Sequence, residues 1–165
     1  MMRTFFRMTA LAVMLFAAGS AAADPPGLVL QTDEAARLTA TEWVAYSSRI
    51  SDALASDQDG LREAALRMTV LYGDRLTLDR MDTIEMVRVF RDHRNSRMRR
   101  LAVVALNAAD DHWGMEMLAR SYRFEDDTGV RYQIAAVLLD HATRHREGMI
   151  ILEDPKAIVV WPVGR

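Results

Sequence analysis

Two histidines, His141 and His145, stand four residues apart near the end of the polar part of the chain. On a helix that spacing puts both imidazoles on one face, where they can share a metal ion. A structural site wants two further ligands, and a catalytic one at least a third with a coordination position left open. Asp140 would point about 100° away from His141, and Glu147 could approach only after a turn. The glutamate that follows the first histidine in zinc proteases is missing, because position 142 is Ala. The plainer reading is a pair of exposed histidines interacting with the negative end of a helix dipole. His141 and His145 are thus weak metal candidates, and neither a metal nor another cofactor is expected.

Other chemistry-bearing residues fall in three clusters. Asp110-Asp111-His112 and Glu125-Asp126-Asp127 are acidic. Paired carboxylates can run acid–base chemistry when burial separates their pKa values. Both clusters sit where loops and helix starts are expected, so capping and solvation are the simpler account. Arg91, Arg94, Arg97, Arg99 and Arg100 fall within ten residues. They form the one strong local charge feature, suited to a phosphate, a sulfate, lipopolysaccharide or an acidic partner surface; the alternative is a solvated turn balanced by acids on adjacent helices. Cysteine is absent, which excludes disulfides, thiolate zinc sites and cysteine nucleophiles. No serine has the glycine context of a nucleophile elbow, and no glycine loop cradles phosphate. The eleven Met residues suggest copper, but those beyond the first segment fall at core offsets, where Met fills gaps. An enzyme is not expected.

The elements that must position these clusters are helices. The chain has 165 residues, half of them hydrophobic, with a net charge of −2, enough for one folded domain and a poor match to nucleic acid. Residues 1–23 read as a cleaved signal peptide: Arg3 and Arg7, an apolar run from Met8 to Ala18, then Ala21-Ala22-Ala23, with cutting expected after Ala23. The apolar run is too short to span a membrane, so no integral span is expected after cleavage, and the location is periplasmic or secreted. Residues 24–40, opening on Asp24-Pro25-Pro26-Gly27, form an N-terminal arm. Proline then disappears until Pro155, as a helical body requires.

That body, residues 41–146, repeats a pattern three times: Leu61-Arg62 with Ala65, Leu66 and Met68; Met98-Arg99 with Ala102, Val103 and Ala105; Val130-Arg131 with Ile134, Ala135 and Val137. These offsets share one helical face. A turn-rich stretch precedes each, and partner helices are expected at Glu42–Ala55, Asp82–Arg91 and Trp113–Tyr122. Six helices in three pairs, at a period near 35 residues, form the pattern of an α-solenoid; an ordinary six-helix bundle shares much of it.

An apolar residue, Arg, then Ala and apolar positions after an Asp-rich turn resembles the HEAT repeat, including its short bacterial form. Met98 to Leu106 is the best match. The resemblance implies an all-α, short right-handed solenoid in which Leu61, Arg62, Ala65, Met98, Arg99, Ala102, Val130, Arg131 and Ile134 pack the repeats. It also implies that an Asp five residues before the Arg knits neighbouring repeats. Asp57 and Asp126 fit, but position 94 is Arg, and Thr69 stands where Leu is usual.

Residues 147–165 change character. Met149–Leu152 and Ala157–Trp161 lean towards strand around Glu153-Asp154-Pro155-Lys156, a β-hairpin pattern. The hairpin can cap the last helix pair, or one strand can pair with a partner. The expected function is an exported, non-catalytic scaffold or adaptor that binds a protein, with Arg91–Arg100 as the contact zone and homo-oligomerisation compatible with so short a stack. An envelope-associated structural protein and, further off, a metal-dependent enzyme using His141 and His145 are the alternatives.

Overall fold

The structure is a computed structural model and describes residues 28–145. The segment read as a signal peptide and the tail read as a hairpin lie outside these residues. Among the described residues the chain is all-helical, with no strands. A single turn α1 (Thr32–Ala35) precedes α2 (Ala40–Leu54), α3 (Asp59–Tyr72), α4 (Arg80–Asp92), α5 (Ser96–Ala109), α6 (His112–Ser121) and α7 (Thr128–His145), with a 3-10 turn over Tyr122–Phe124. None of these helices is long and apolar enough to cross a membrane.

Local chemistry sets most helix starts. Thr39 and Asp79 each form a reciprocal capping box, with Glu42 and Asp82 respectively, so that side-chain oxygens satisfy amides the helix cannot. Asn95 caps α5 and Asp111 caps α6 through their side chains. Asp127 accepts from the Val130 amide at 2.9 Å and so caps α7. Glycine and proline stay out of the helix interiors apart from Gly60, Gly114 and Gly129, which lie in first turns.

Consecutive helices pack as neighbours: α2 with α3, α4 with α5, α6 with α7. Across the pairs, α3 lies on α5 and α5 on α7, while α2 touches α4 and α4 touches α6. Helix α5 is therefore enclosed by α3, α4, α6 and α7, which explains why its Leu101, Ala102, Val103, Ala105 and Leu106 are all buried. Ala65, Ala102 and Ile134, positions read from the sequence as packing the repeats, are each 0 % exposed. Met68, Ala105 and Val137 are buried too, whereas Leu61 is half-buried beside fully buried Val130. Each fully buried Leu, Ile or Met contributes on the order of 2 kcal/mol through area removed from water.

The segment read as an arm enters the core. Leu28, Leu30 and Ala35 are buried, and the Tyr46 hydroxyl donates to the Leu28 carbonyl. Burial pushes the Tyr46 phenol up to about 12, so it stays a donor. Trp43 packs edge-on to Tyr46 and against Tyr72, with the Arg75 guanidinium over its ring. Thr69, where the HEAT pattern has Leu, is fully buried and donates its hydroxyl to the Ala65 carbonyl at 3.0 Å, which satisfies the polar group. At Gly73 the end of α3 meets the end of α5 so closely that a Cβ would lie 2.3 Å from the Ala108 carbonyl oxygen.

Candidate functional site

The interface between α5 and α7 is closed at both ends by charged groups, and the clusters read from the sequence sort themselves between the two. At the end where both helices begin, Arg99 on α5 grips Glu125 in the loop before α7. Nη1 and Nη2 donate to the two carboxylate oxygens, each at 3.0 Å. The Glu125 side chain is only 7 % exposed and that of Arg99 20 %. Arg131 adds a bond to the Glu125 carbonyl, and Oε1 of Glu125 accepts from the Asp127 amide. Every strong acceptor here has a donor, and the geometry is bidentate.

This corrects the knitting implied by the resemblance. Glu125, one residue before Asp126, is the acid that holds a neighbouring pair, while Asp126 is exposed. On α3, Arg62 bonds Asp59 at 2.6 Å within the same helix. Asp59 also lies 3.4 Å from the His93 ring at the end of α4, so a link between the first two pairs exists without an acid at position 94. The Arg62 bond, with smaller help from His93, holds the Asp59 carboxyl below its ordinary value against a modest burial effect.

Of the five clustered arginines, Arg91 and Arg94 are exposed, and Arg97 and Arg100 are half-buried. Arg99 is turned inward onto Glu125, so it serves packing before any external contact. Arg100 lies against Gly129 and, with Arg99, helps lower the Asp127 carboxyl, whose largest stabilisation is the bond from the Val130 amide.

At the opposite end, α5 terminates on Asp110, whose φ of 55° is left-handed. Its Oδ1 lies 3.2 Å from Nδ1 of His141, 2.9 Å from Nε2 of His145 and 2.9 Å from Nη1 of Arg144. Arg144 also bonds the Asn107 carbonyl and side chain and Asp140. The two imidazole rings sit with centroids 4.3 Å apart. Burial pushes the Asp110 carboxyl up, but the His145 bond and the charges of Arg144, His145 and His141 outweigh it, and the net direction is down.

His141 is therefore not the exposed helix-end histidine expected: it is buried at 6 %, because α7 turns that face towards the end of α5. Among the described residues the third polar group is Asp110 and not Asp140; Glu147 lies outside them. Its neighbour Asp111 does act as the helix cap foreseen, bonding the Gly114 amide at 2.7 Å. The signal for Asp110 lay in the repeat itself. The offset of 32 residues read between Met98 and Val130, added to Asp110, falls at Ala142, between the two histidines.

Chemically, one carboxylate oxygen with two imidazole nitrogens is a ligand set for a borderline metal ion. No protein-family model matches the chain, and no curated protein or solved structure matches it either.

Proposed function

We propose that the chain is an exported protein-binding scaffold: a short right-handed α-solenoid of three helix pairs, similar to HEAT repeats, without catalytic activity of its own. The observation that carries this reading is the identical burial of Ala65, Ala102 and Ile134 on three helices packed in a row, beside a second row of α2, α4 and α6. Such a stack exposes an extended surface made from many helices, which is the form of surface repeat proteins use to recognise partners.

The contact zone is the turn between α4 and α5, with Arg91 and Arg94 exposed and Arg97 and Arg100 beside them. Arg99 belongs to the packing through Glu125. Clustered guanidiniums favour an acidic protein surface and give bidentate bonds to carboxylates. So short a stack is also suited to assembly with further copies.

Affinity capture from an envelope extract tests the proposal, with the wild type beside an Arg94/Arg97/Arg100→Glu variant whose helical circular dichroism is unchanged. The expected result is a partner captured by the wild type and lost by the variant. Equal recovery of every partner removes the arginine turn as the contact zone, and a metal-dependent or hydrolytic turnover by the purified chain would overturn the non-catalytic reading.

A further inference from the structure

We propose that Asp110, His141 and His145 bind a divalent first-row transition ion, with zinc the best match. The inference is independent of the scaffold reading and rests on the convergence of three donor atoms from two separate elements.

The geometry comes first. The three potential ligand atoms all lie within 4.8 Å of one another. A tetrahedral ion with bonds of about 2.0–2.1 Å sets its ligand atoms about 3.3 Å apart. The contacts of Asp110 Oδ1 with His141 Nδ1 and His145 Nε2, 3.2 and 2.9 Å, are both slightly shorter than that edge. Along these two edges an opening of a few tenths of an ångström would match the ion. The two histidines project from adjacent turns of α7, and Asp110 comes from the corner after α5, so the donors are held by two packed helices.

The donor chemistry then selects the ion. Two neutral imidazoles and one carboxylate suit zinc, cobalt, nickel or copper; calcium and magnesium want sets made of oxygen. Three protein ligands leave a position for water. His141 is buried and His145 and Asp110 are partly exposed, so the site has a protected wall and an open mouth.

Arg144 is the group that opposes the ion, because its charge sits 2.9 Å from the same carboxylate oxygen. It can leave that oxygen without being stranded, since Asn107 accepts from it at 2.7 and 3.1 Å and Asp140 at 3.1 Å. Arg144 therefore acts as a competitor that keeps the affinity moderate, a role no simple ligand or bystander has. A bound ion would fasten the corner after α5 to the last turn of α7 and so tie off one end of the helix row.

The test uses the full chain without an affinity tag, stripped with chelator and desalted, titrated with zinc by calorimetry and with cobalt by visible absorption. Expected are one zinc equivalent at micromolar concentration, a higher melting temperature with zinc, and cobalt bands of a tetrahedral or five-coordinate site. His145→Ala and Asp110→Asn should each weaken binding at least tenfold, while His93→Ala and His112→Ala leave it unchanged. Arg144→Gln should tighten binding several-fold. No saturable binding up to about 100 μM zinc, or binding that survives His145→Ala, overturns the site. Should Asp110→Asn unfold, the His145→Ala and Arg144→Gln titrations still decide, because their opposite signs follow from the site alone.

Discussion

The two ends of the α5–α7 interface hold charge in opposite ways. At one end a single carboxylate, Glu125, meets a single guanidinium, Arg99, in a bidentate pair mostly hidden from water. At the other, one oxygen of Asp110 faces Arg144, His141 and His145 together, and its side chain is 40 % exposed. The first arrangement is saturated: each strong group has its partner, and removing one strands the other. The second is oversubscribed, with more donors than the oxygen can serve well at once, and its arginine keeps other partners in reserve. A saturated pair holds helices in place. An oversubscribed acceptor can exchange what it binds.

Substitutions between and at these ends can break the contrast or sharpen it. The largest effect belongs to Ala102→Asp, midway along α5 and fully buried. An unpaired carboxylate there should cost more than about 4 kcal/mol and abolish the cooperative thermal transition seen by circular dichroism. A variant that melts like the wild type would show that α5 is not the centre of the structure.

Arg99→Met comes next. Stranding Glu125, with its side chain only 7 % exposed, should cost about 2–3 kcal/mol in urea unfolding, below the range for fully buried pairs because Arg99 retains some solvent. The double variant Arg99→Met/Glu125→Gln should recover part of that loss. Gly73→Ala should cost about 1–3 kcal/mol, since the new methyl meets the Ala108 backbone, which cannot rotate away. Without metal, Arg144→Gln at the other end should cost less than about 1 kcal/mol, as expected of exposed ion pairs. Equal losses from Arg99→Met and Arg144→Gln would erase the distinction between the two ends.

The smallest effect is one of pH. The Val130 amide bond, aided by the charges of Arg99 and Arg100, holds the Asp127 carboxyl below its ordinary 3.8. A depressed carboxyl contributes stability that is fully present above the unfolded value and lost as pH falls through the lower folded one. Asp127→Asn keeps the cap but cannot titrate. It should flatten the loss of melting temperature below about pH 4 while leaving neutral stability nearly unchanged. An acid limb identical to the wild type would assign that loss to other carboxylates.

Much of the helical frame was legible because periodicity reports burial directly. The offsets of Ala65, Ala102 and Ile134 follow from one face of a helix, and the structure buries all three. Helix starts were legible in part: Asp111 and the Asn95 turn were read as capping stretches, whereas α2 and α4 begin two residues before the expected Glu42 and Asp82, at the capping boxes of Thr39 and Asp79. Contacts between distant residues were not legible. Arg99 and Glu125 are 26 residues apart and Asp110 and His145 are 35 apart, and nothing in local spacing says which acid a cation will meet. Glu125 rather than Asp126 takes Arg99, a one-residue difference set by where the loop turns after Phe124. Leu28 and Leu30 were hidden for another reason: the Pro-Pro-Gly run beside them reads as an arm, although Tyr46 and the aromatic group around Trp43 draw that segment into the core.

The left-handed backbone at Asp110 carries a consequence for engineering. Glycine or asparagine is the cheaper residue where a helix ends in that conformation, by about 1 kcal/mol in the case of glycine. The chain forgoes that gain and keeps an anion at a corner where the backbone alone would prefer hydrogen. Asp110→Gly should thus relax the bend while deleting the carboxylate, separating thermal robustness from ion capture in a single exchange.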